Sequence, residues 1–373
     1  MKIDVVIIGA GPAGSSCAYE LSKRGIGNIL IERKEKPGTP VQCAEFIPLN
    51  INQYIDLTYK PEAICQNVEY MEVDTAKENY KFDGKGYILN RDIFDYYIAE
   101  LAAGKGTKLL TDTFAETVIE SENKLIVRTK TDETKTDETK TDNNNRIEIN
   151  YKYLVLASGA KDFIDFKDKH KLIRNKSYIY GIQIKTDLLK RLNSALIYFR
   201  NYIPYGYGWV FPKLNFANVG IGIEKNINNN INLRKAFDIF LNEIKNKGII
   251  SGKTISKTSG LVPISALNDA VCGNIAYCGD AAGLTHPITG AGNLSAVISG
   301  ILLGDFVYES LKTGSNLLED YKEELFSIFY KPLSKAKAKR NNFYTKRYEE
   351  FSADELDDIV KKSWPSFNDY HSA

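Results

Sequence analysis

Short apolar runs and a helical period organise the start of the chain. Residues 3–9 (IDVVIIG) are nearly all apolar, which is typical of a strand buried on both faces of a parallel sheet. A helix is predicted over 12–24, and a second apolar run, 28–34 (NILIERK), predicts a strand that ends at Glu32. Together these elements predict a β-α-β unit.

Apolar runs of the same kind return in the middle of the chain. A helix is predicted over 91–103, strands over 109–128 and 146–150, and a further buried strand over 153–160 (YLVLASGA). Between them, residues 129–145 (TKTDETKTDETKTDNNN) contain no apolar side chain. They therefore predict a low-complexity, solvated hairpin tip that buries nothing.

From residue 177 onward, apolar and polar positions alternate as in antiparallel strands. The segments SYIYGIQIK, SALIYFR, YGYGWVFP and FANVGIGIE each show this period of two. A helix at 233–247, a short strand at 274–280 and a long helix at 290–312 follow. The order of elements predicts an α/β fold, in which an antiparallel-sheet substrate domain is inserted into a Rossmann-like dinucleotide-binding domain.

The predicted domains are interleaved along the chain. The assignments are 1–60, 85–165 and 260–312 for the dinucleotide-binding domain, 61–84 and 166–259 for the antiparallel substrate domain, and 313–373 for a helical C-terminal segment. Little of the chain beyond residue 330 is expected to build a cap over the substrate domain.

Composition and charge narrow the function classes. The chain of 373 residues is 43% hydrophobic and 26% charged, as folded globular proteins are, and its net charge of +2 gives no electrostatic signature of a nucleic-acid binder. The five cysteines lack zinc-site spacing, and no signal peptide is recognised, so reduced thiols and a cytoplasmic location are expected. Residues 331–347 carry seven basic residues and no acidic one, which fits either a solvated helix or peripheral contact with an anionic membrane.

Three glycines follow the first predicted strand in the spacing G-x-G-x-x-G. Gly9 permits a tight turn, Gly11 lets a pyrophosphate approach the backbone, and Gly14 lets helix and strand pack closely. Glu32 lies 18 residues after Gly14, where a carboxylate would accept hydrogen bonds from an adenosine ribose. This unit predicts dinucleotide binding, and other residues must decide between NAD and FAD.

Further motifs favour FAD. The stretch 278–283 (CGDAAG) resembles the second FAD motif of flavoproteins, whose aspartate, here Asp280, contacts the ribityl chain or a phosphate. Gly290 and Gly292 come at a predicted helix start, where backbone N–H groups can face the oxygens of a flavin ring. Arg91 resembles the arginine that opens a helix near the cofactor in the same flavoproteins, and its alternative is an ordinary helix-start residue.

The segment YGYGWVFPKLNFANVGIG resembles the signature of the geranylgeranyl reductase family, within the para-hydroxybenzoate hydroxylase fold class. That family shows Y-x-W-x-F-P, seven residues, and then G-x-G. The matching positions are Tyr207, Trp209, Phe211 and Pro212, followed by Gly220 and Gly222. The resemblance spans about residues 1–305 and includes the stretch VQCAEF around Cys43.

The resemblance implies an FAD-dependent reduction of carbon–carbon double bonds in an apolar, prenyl-type substrate, either a geranylgeranyl lipid or a prenylated quinone. Its electrons would come from NAD(P)H or a small redox protein. The implied cofactor contacts are Gly9, Gly11, Ala13, Gly14, Glu32, Arg33, Cys43, Ala44, Arg91, Ala115, Gly279, Asp280, Gly290, Gly292 and Asn293. The implied wall of the substrate cavity is Tyr205, Tyr207, Trp209, Phe211 and Pro212. By residue type alone, the favoured alternative is that these side chains pack into an inter-domain core.

The implied reaction needs a proton donor near the double bond, because an isolated alkene is a poor electrophile. Cys43 is one candidate, and its alternative is a small buried residue. His286 is the other candidate. It is either a proton carrier or a residue packed at the turn before Pro287.

Other functions fit the same motifs. Asn293 completes G-x-G-x-N, which resembles the hydroxylase branch of the fold class, so the alternative is a flavin monooxygenase that acts on an aromatic or peptide substrate with NAD(P)H and dioxygen. A disulfide reductase is not expected, because Cys43 has no neighbouring cysteine and no second G-x-G-x-x-G follows a predicted strand. A flavin-holding scaffold or membrane adaptor is the non-enzymatic alternative.

Overall fold

The computed structural model describes residues 1–130, 145–161, 164–167, 177–224, 232–265, 267, 269–345 and 347–372. Its strands, in chain order, are β1 (Val5–Ile8), β2 (Asn28–Ile31), β3 (Phe46–Pro48), β4 (Ile64–Val68), β5 (Tyr70–Asp74), β6 (Asn79–Phe82), β7 (Gly86–Leu89), β8 (Lys108–Leu110), β9 (Thr113–Ile119), β10 (Lys124–Thr129), β11 (Arg146–Asn150), β12 (Tyr153–Leu156), β13 (Asp165–Phe166), β14 (Tyr178–Leu188), β15 (Ser194–Tyr198), β16 (Tyr207–Lys213), β17 (Phe216–Glu224), β18 (Ile250–Pro263), β19 (Val271–Cys272) and β20 (Ile275–Tyr277). Its helices are α1 (Pro12–Ser22), α2 (Arg91–Gly104), α3 (Leu233–Asn246), α4 (Asn293–Thr313), α5 (Leu318–Arg340), α6 (Ala353–Ser363) and α7 (Asn368–His371).

A six-stranded sheet in the order β19-β20-β12-β1-β2-β8 forms the core of the dinucleotide-binding part. β1 pairs in parallel with both β12 and β2, as the predicted β-α-β unit requires. All three strands are fully buried, which explains their continuous apolar sequence. Because the carboxyl ends of parallel strands lie at one edge of a sheet, the residues after β1, β2 and β12 meet there.

The strands predicted on either side of the low-complexity segment are present. β10 pairs with β11 and with β9, both antiparallel, and β13 adds to the other edge of β9. Within the predicted hairpin tip 129–145, residues 131–144 lie outside the described part of the chain. The solvated tip therefore stays a prediction, while the hairpin strands that lead to it are confirmed.

A seven-stranded sheet in the order β18-β14-β17-β16-β15-β5-β6 forms the second large layer. β14, β17, β16 and β15 are antiparallel neighbours, as the period of two predicts, and β5 pairs in parallel with β15. A small sheet of β3, β7 and β4 packs beside β16. The architecture is the predicted α/β fold with an inserted, mainly antiparallel sheet.

The two faces of the seven-stranded sheet carry different cores. One face packs against α3, and we call it the aliphatic face. Its strand residues include Ile182, Ile184, Val210, Ala217, Val219, Ile221 and Ile223. We call the opposite side the aromatic face. Its core includes Phe199, Tyr205, Phe211 and the partly buried Tyr207 and Trp209.

The end of the chain covers the aromatic face. We call residues 341–372 the C-terminal cover, because their buried side chains join the same core. They are Phe343, Tyr348, Phe351, Leu356, Val360, Trp364, Phe367 and Tyr370. The sequence did not predict this cover, since the residues beyond 330 were expected to be too few to build an extra substrate-capping domain. Few residues suffice because six of these eight are aromatic and each buries a large surface.

Among the described residues, α4 is the one helix long and apolar enough to cross a membrane by length and composition alone. It packs closely against α1. A Cβ at Gly300 would collide with the Ala13 carbonyl oxygen, and one at Gly304 would lie 2.7 Å from the Cβ of Glu20. This close packing makes α4 a core helix of the dinucleotide-binding part.

Candidate active site

Gly9 and Gly14 take the turn and packing roles that the fingerprint spacing predicts, and Gly11 is open. Gly9 has a φ of +103°, and a Cβ there would collide with the carbonyl oxygen of Ala157 after β12. A Cβ at Gly14 would collide with the carbonyl oxygen of Gly9, so this glycine permits close helix–strand packing. A Cβ at Gly11 would meet no atom within 4 Å, and the residue faces a cavity.

The cavity, of about 260 Å³, lies at the carboxyl edge of the parallel sheet. The structure brings seven of the predicted cofactor residues onto its wall. They are Gly9, Gly11, Glu32, Arg33, Cys43, Arg91 and Ala115. The Glu32 carboxylate accepts hydrogen bonds from the N–H groups of Ala10 and Lys34, both at 3.0 Å, which fixes its direction at the end of β2.

Three residues after β12 also line this cavity, and sequence reasoning did not assign them. Gly159 has a φ of +82°, and a Cβ there would meet nothing within 4 Å. The Ser158 hydroxyl is buried and has no hydrogen-bond partner among the described residues. Lys161 adds a positive charge. Open glycine backbone, an orphaned hydroxyl and a cation suit a ligand rich in oxygen and phosphate, so the residues present fit FAD. The small residues that end YLVLASGA were the available signal.

Cys43, Arg91 and Asn293, which are far apart in sequence, meet in one hydrogen-bonded network. The Arg91 guanidinium donates to Asn293 Oδ1 at 2.7 Å, and its Nε donates to Asp95 Oδ1 at 2.7 Å. The Asn293 side-chain amide donates a hydrogen bond to Cys43 Sγ over 3.6 Å. Because Asn293 is the first residue of α4, the network sits at a helix N-terminus, where the N–H groups lack helical partners.

The second flavoprotein motif lies directly behind this network. Asp280 is partly buried, its Oδ1 accepts from the Thr285 hydroxyl at 2.7 Å, and desolvation raises the pKa of its carboxyl group. The Gly279 N–H donates to Ser299 on α4 at 3.0 Å. A Cβ at Gly279 would approach the Cβ of Ala13 to 2.9 Å. These two predicted cofactor residues therefore pack the second flavoprotein motif against the glycine fingerprint.

His286 is held inside the turn that precedes α4. Its Nδ1 accepts from the backbone N–H groups of Ile288 at 3.3 Å and Thr289 at 3.2 Å. Burial lowers its pKa to about 4, which keeps the ring neutral. The Gly290 N–H closes the turn on the His286 carbonyl at 2.9 Å. This geometry favours the turn role of His286 over that of a proton carrier.

The register of β16 and β17 explains the spacing of the aromatic signature. Trp209 lies opposite Gly220, and Tyr207 lies opposite Gly222. A Cβ at Gly220 would collide with the indole ring of Trp209, so the glycine leaves the room in which the ring lies over the sheet. The intervening residues form the hairpin that produces this pairing. The missing side chains of the G-x-G therefore leave the space that the indole ring occupies, and we call this space the indole seat.

Two of the predicted wall residues depart from the expected strand face. Tyr205 precedes β16 and has a φ of +56°, because the chain turns at Gly206, where a Cβ would collide with the carbonyl oxygen of Gly222. Its ring still joins the aromatic core. Pro212 lies opposite Ala217, a residue of the aliphatic face, so the alternation of a strand directs it away from Tyr207, Trp209 and Phe211.

Gln183 on β14 links the aromatic signature to the cofactor network, and sequence reasoning missed it. The Trp209 indole donates to Gln183 Oε1 at 2.8 Å, and the Gln183 amide donates to the Cys43 carbonyl at 3.1 Å. Phe211 packs on Phe46, with ring centroids 6.0 Å apart, and so extends the contact to the stretch VQCAEF. The only sequence signal was a polar residue at an inward position of an apolar strand.

A buried ion pair fixes the same stretch to the end of β16. Lys213 Nζ lies 2.7 Å from Glu45 Oε2, and side-chain exposure is 10% and 5%. The Asn218 amide donates to the same carboxylate at 2.7 Å, and the Arg91 N–H donates to its other oxygen at 3.1 Å. The predicted contact Ala44 uses its carbonyl here, accepting from Asn218 at 3.4 Å.

The C-terminal cover packs directly on the predicted substrate wall. Trp364 meets Tyr207 edge to face, with centroids 5.3 Å apart, and Tyr348 meets Tyr205 in the same way at 5.2 Å. The Tyr207 hydroxyl donates to the Thr289 carbonyl at 2.5 Å, and burial raises its pKa. The wall is thus shared between the signature strand and the end of the chain.

Comparison with known proteins agrees with these motifs. A family model described as a pyridine nucleotide-disulphide oxidoreductase matches residues 3–178, and one described as a geranylgeranyl reductase catalytic domain matches residues 180–262. Digeranylgeranylglycerophospholipid reductase of Methanococcus aeolicus is 30% identical over 340 residues, which is 87% of this chain and 81% of the relative. The family resemblance stated from the sequence is confirmed.

Solved structures confirm the fold class. A geranylgeranyl bacteriochlorophyll reductase-like protein of Thermoplasma acidophilum superposes with a TM-score of 0.81 at 23% identity, covering 98% of this chain and 97% of that one. The myxobacterial chondrochloren halogenase CndH, an FAD-dependent enzyme, superposes with a TM-score of 0.65 at 16% identity, covering 100% and 84%. Because a halogenase shares the fold, the fold alone does not select the reaction.

Proposed function

Since the chain belongs to the geranylgeranyl reductase family of FAD-dependent oxidoreductases, we propose that it reduces carbon–carbon double bonds in the prenyl chains of a geranylgeranyl lipid. The observation that carries the proposal is the position of the reductase catalytic-domain match. Its residues 180–262 contain the signature strand β16, the indole seat on β17 and Gln183, which together reach the cofactor network. By analogy with the relative's name, the proposed substrate class is a digeranylgeranyl glycerophospholipid.

FAD, when bound, supplies the hydride transfer that saturating an alkene requires. In this proposal the open backbone at Gly11 and Gly159 receives the pyrophosphate, and the fixed carboxylate of Glu32 receives the adenosine ribose. The first turn of α4, from Asn293, offers N–H groups to the polar edge of the flavin ring. Arg33 and Ala115 flank the same cavity.

Of the two candidate proton donors named from the sequence, Cys43 and His286, Cys43 is the one proposed. Its sulfur is held by the Glu45 N–H at 3.2 Å and faces the Asn293 amide, so its position is fixed from both sides. Arg91 fixes Asn293 in turn, and Asp95 fixes Arg91. Holding a weak donor in one place is how such a site compensates for the low reactivity of an isolated alkene.

The aromatic face is the proposed binding surface for the prenyl chain. Trp209 and Tyr207 are the predicted wall residues that lie nearest to the cofactor network, through Gln183 and the Thr289 carbonyl respectively. Rigid aromatic side chains suit a long apolar chain because they offer a large contact area and lose little conformational entropy. Phe211 and Tyr205 are buried in the aromatic core on either side of these two residues and support them.

The reductase is favoured over the flavin monooxygenase. The alternative rested on Asn293 in G-x-G-x-N, and the network accounts for that residue, because its amide joins Arg91 to Cys43. The family model and the relative both carry reductase names. The electron donor is proposed to be NAD(P)H or a small redox protein.

A cytoplasmic location with peripheral membrane contact is also proposed, and it rests on the lipid nature of the substrate. The basic run 331–347 supports it less than its charge suggests, because Arg340 is buried and Lys337 and Lys339 reach backbone carbonyl oxygens. Co-sedimentation with vesicles of anionic lipid, against vesicles of neutral lipid, tests the contact. Equal binding to both, or to neither, contradicts an electrostatic membrane contact.

The experiment that tests the function uses the FAD-loaded protein, dithionite as reductant and digeranylgeranyl glycerophospholipid in detergent, without oxygen. Mass spectrometry of the lipid is expected to show the gain of two hydrogens per double bond. A parallel reaction with NADPH and air tests the alternative. An unchanged lipid in the first reaction, or a product that gains an oxygen atom in the second, contradicts the reductase.

A further inference from the structure

We propose that Arg340, at the end of α5, is a positioning residue that holds the turn before α4 and the entry to the signature strand in one arrangement. Its side chain is only 6% exposed. The guanidinium donates to the Pro287 carbonyl at 3.0 Å and to the Tyr205 carbonyl at 2.7 Å. It thus joins the C-terminal segment to two parts of the site that are far apart in sequence.

A carboxylate on the aromatic face completes the arrangement. Arg340 Nη2 lies 2.7 Å from Glu224 Oε2, and the Tyr344 hydroxyl donates to the same oxygen at 2.5 Å. Glu224 is the last residue of β17, only two positions beyond Gly222 of the signature. A planar guanidinium can serve two carbonyl oxygens and a carboxylate together, whereas an ammonium group offers fewer donors without a fixed fork.

The Pro287 carbonyl is the significant partner, because it belongs to the turn that leads to Gly290 and Gly292. That turn is tied internally by His286, and from the signature strand by the Tyr207 hydroxyl on Thr289. Arg340 adds a further tie, from the end of α5. Loss of this tie frees the turn that precedes the helix start proposed to face the flavin ring, so the effect is expected in FAD binding.

Arg200 provides a matched control. It is buried to the same degree, with 8% side-chain exposure, and it too donates to two carbonyl oxygens, those of Phe199 and Asp74. Its carboxylate partners are Asp74 and Glu243, the latter on α3. Arg200 thus ties α3 to the sheet, and among the described residues its hydrogen-bond and ion-pair partners lie outside the turn and the signature strand.

The experiment compares Arg340→Lys with Arg200→Lys, each of which keeps the positive charge. We expect both variants to lose thermal stability, and only Arg340→Lys to weaken FAD binding, by about tenfold for the loss of one or two hydrogen bonds. Hydrogen exchange of the apoprotein supplies a second measurement. The amides of residues 288–290 should exchange faster in Arg340→Lys alone.

The proposal is overturned if Arg340→Lys binds FAD as tightly as the unmodified protein with unchanged exchange in the turn, or if Arg200→Lys shows the same losses. If Arg340→Lys does not fold, Tyr344→Phe carries the test, since it removes one hydrogen bond from Glu224. Faster exchange of the turn supports the proposal, and unchanged exchange contradicts it. The measurements need no lipid, so their outcome is independent of whether the protein reduces prenyl chains.

Discussion

On both the aliphatic and the aromatic face of the seven-stranded sheet, a glycine leaves room for an aromatic ring, but the two rings serve different purposes. On the aliphatic face, Gly208 leaves room for a ring of the covering helix, since a Cβ there would lie 2.6 Å from Phe240 on α3. On the aromatic face, Gly220 leaves room for the ring of Trp209 from the neighbouring strand. In both cases a glycine receives an aromatic ring, but only the second ring has a polar partner, Gln183.

The polar residues of these strands are divided in the same way. On the aliphatic face, β16 and β17 contribute apolar side chains, and the buried Thr186 of β14 has no hydrogen-bond partner for its hydroxyl among the described residues. The aromatic face holds Gln183, Lys213, Asn218 and Glu224, each buried and hydrogen-bonded. Buried polar groups are costly unless they are paired, so the four paired groups on the aromatic face indicate that this face is built to fix positions. The aliphatic face serves stability.

The largest effect is expected at the ion pair of Lys213 and Glu45. Lys213→Met leaves a buried carboxylate without its cation, which costs about 3–5 kcal/mol of unfolding free energy. Chemical denaturation measures this loss. The control on the other face is Val210→Ala, in the same strand.

Val210→Ala is expected to cost stability and to leave the affinity for FAD unchanged, because Val210 belongs to the aliphatic core. Lys213→Met is expected to lower both the stability and the affinity for FAD, since the Glu45 carboxylate also accepts a hydrogen bond from the Arg91 N–H. Equal FAD affinities in the two variants would remove the functional distinction between the faces.

A second pair of variants adds one methyl group to each glycine seat. Gly208→Ala and Gly220→Ala are each expected to cost about 1–3 kcal/mol through overpacking. Only Gly220→Ala displaces the Trp209 ring, so only it should reduce turnover of a prenyl lipid, by roughly a hundredfold for a misplaced binding surface. Turnover is measured per FAD-loaded molecule. Similar turnover in both variants would mean that the ring position does not matter.

Acid should weaken the turn beside the aromatic face. The folded-state pKa of His286 lies at about 4, below the ordinary value. The contribution of the neutral ring to the free energy of unfolding is therefore present above about pH 6.5 and is lost as the pH falls. Between pH 7.5 and pH 5 the loss is about 2 kcal/mol. In His286→Asn, whose side chain keeps an acceptor but does not titrate, stability should depend less on pH. An unchanged pH dependence would place the titrating group elsewhere.

The smallest effect is expected from Trp209→Phe, which keeps a ring and removes the indole N–H. Gln183 Oε1 then loses its donor, at a cost of about 1 kcal/mol. FAD should remain bound, and turnover of the prenyl lipid should fall, because the link to Cys43 is weakened. Release of FAD would instead place this strand in the structural core of the cofactor domain. Absorbance of the bound flavin measures the difference.

The sequence predicted the elements whose periods are strong. The helix expected over 91–103 is observed as Arg91–Gly104, and Gly9 and Gly14 take the predicted turn and packing roles because backbone geometry dictates them. Register between strands was not predictable, since it depends on pairing across the sheet. The seat at Gly220 and the reversed direction of Pro212 both follow from that register.

Long-range polar contacts were also beyond the sequence. Arg340 lay in a basic run and was interpreted as a surface residue, yet it is buried against Glu224, 116 positions earlier. In the sequence, Gln183 and Glu45 are each a single polar residue among apolar neighbours, which does not reveal their partners. Their roles depend on partners that only the folded chain brings together. His286 was left with two roles, and the backbone donors of its own turn favour one.

The C-terminal cover has a consequence for biosynthesis. The aromatic face belongs to strands that are translated well before residues 341–372 leave the ribosome. Until then the nascent protein displays an uncovered sheet of phenylalanine, tyrosine and tryptophan side chains, a surface of the kind that chaperones capture and that aggregates. A stop codon placed directly before residue 341 should therefore yield insoluble chains rather than a soluble, inactive enzyme.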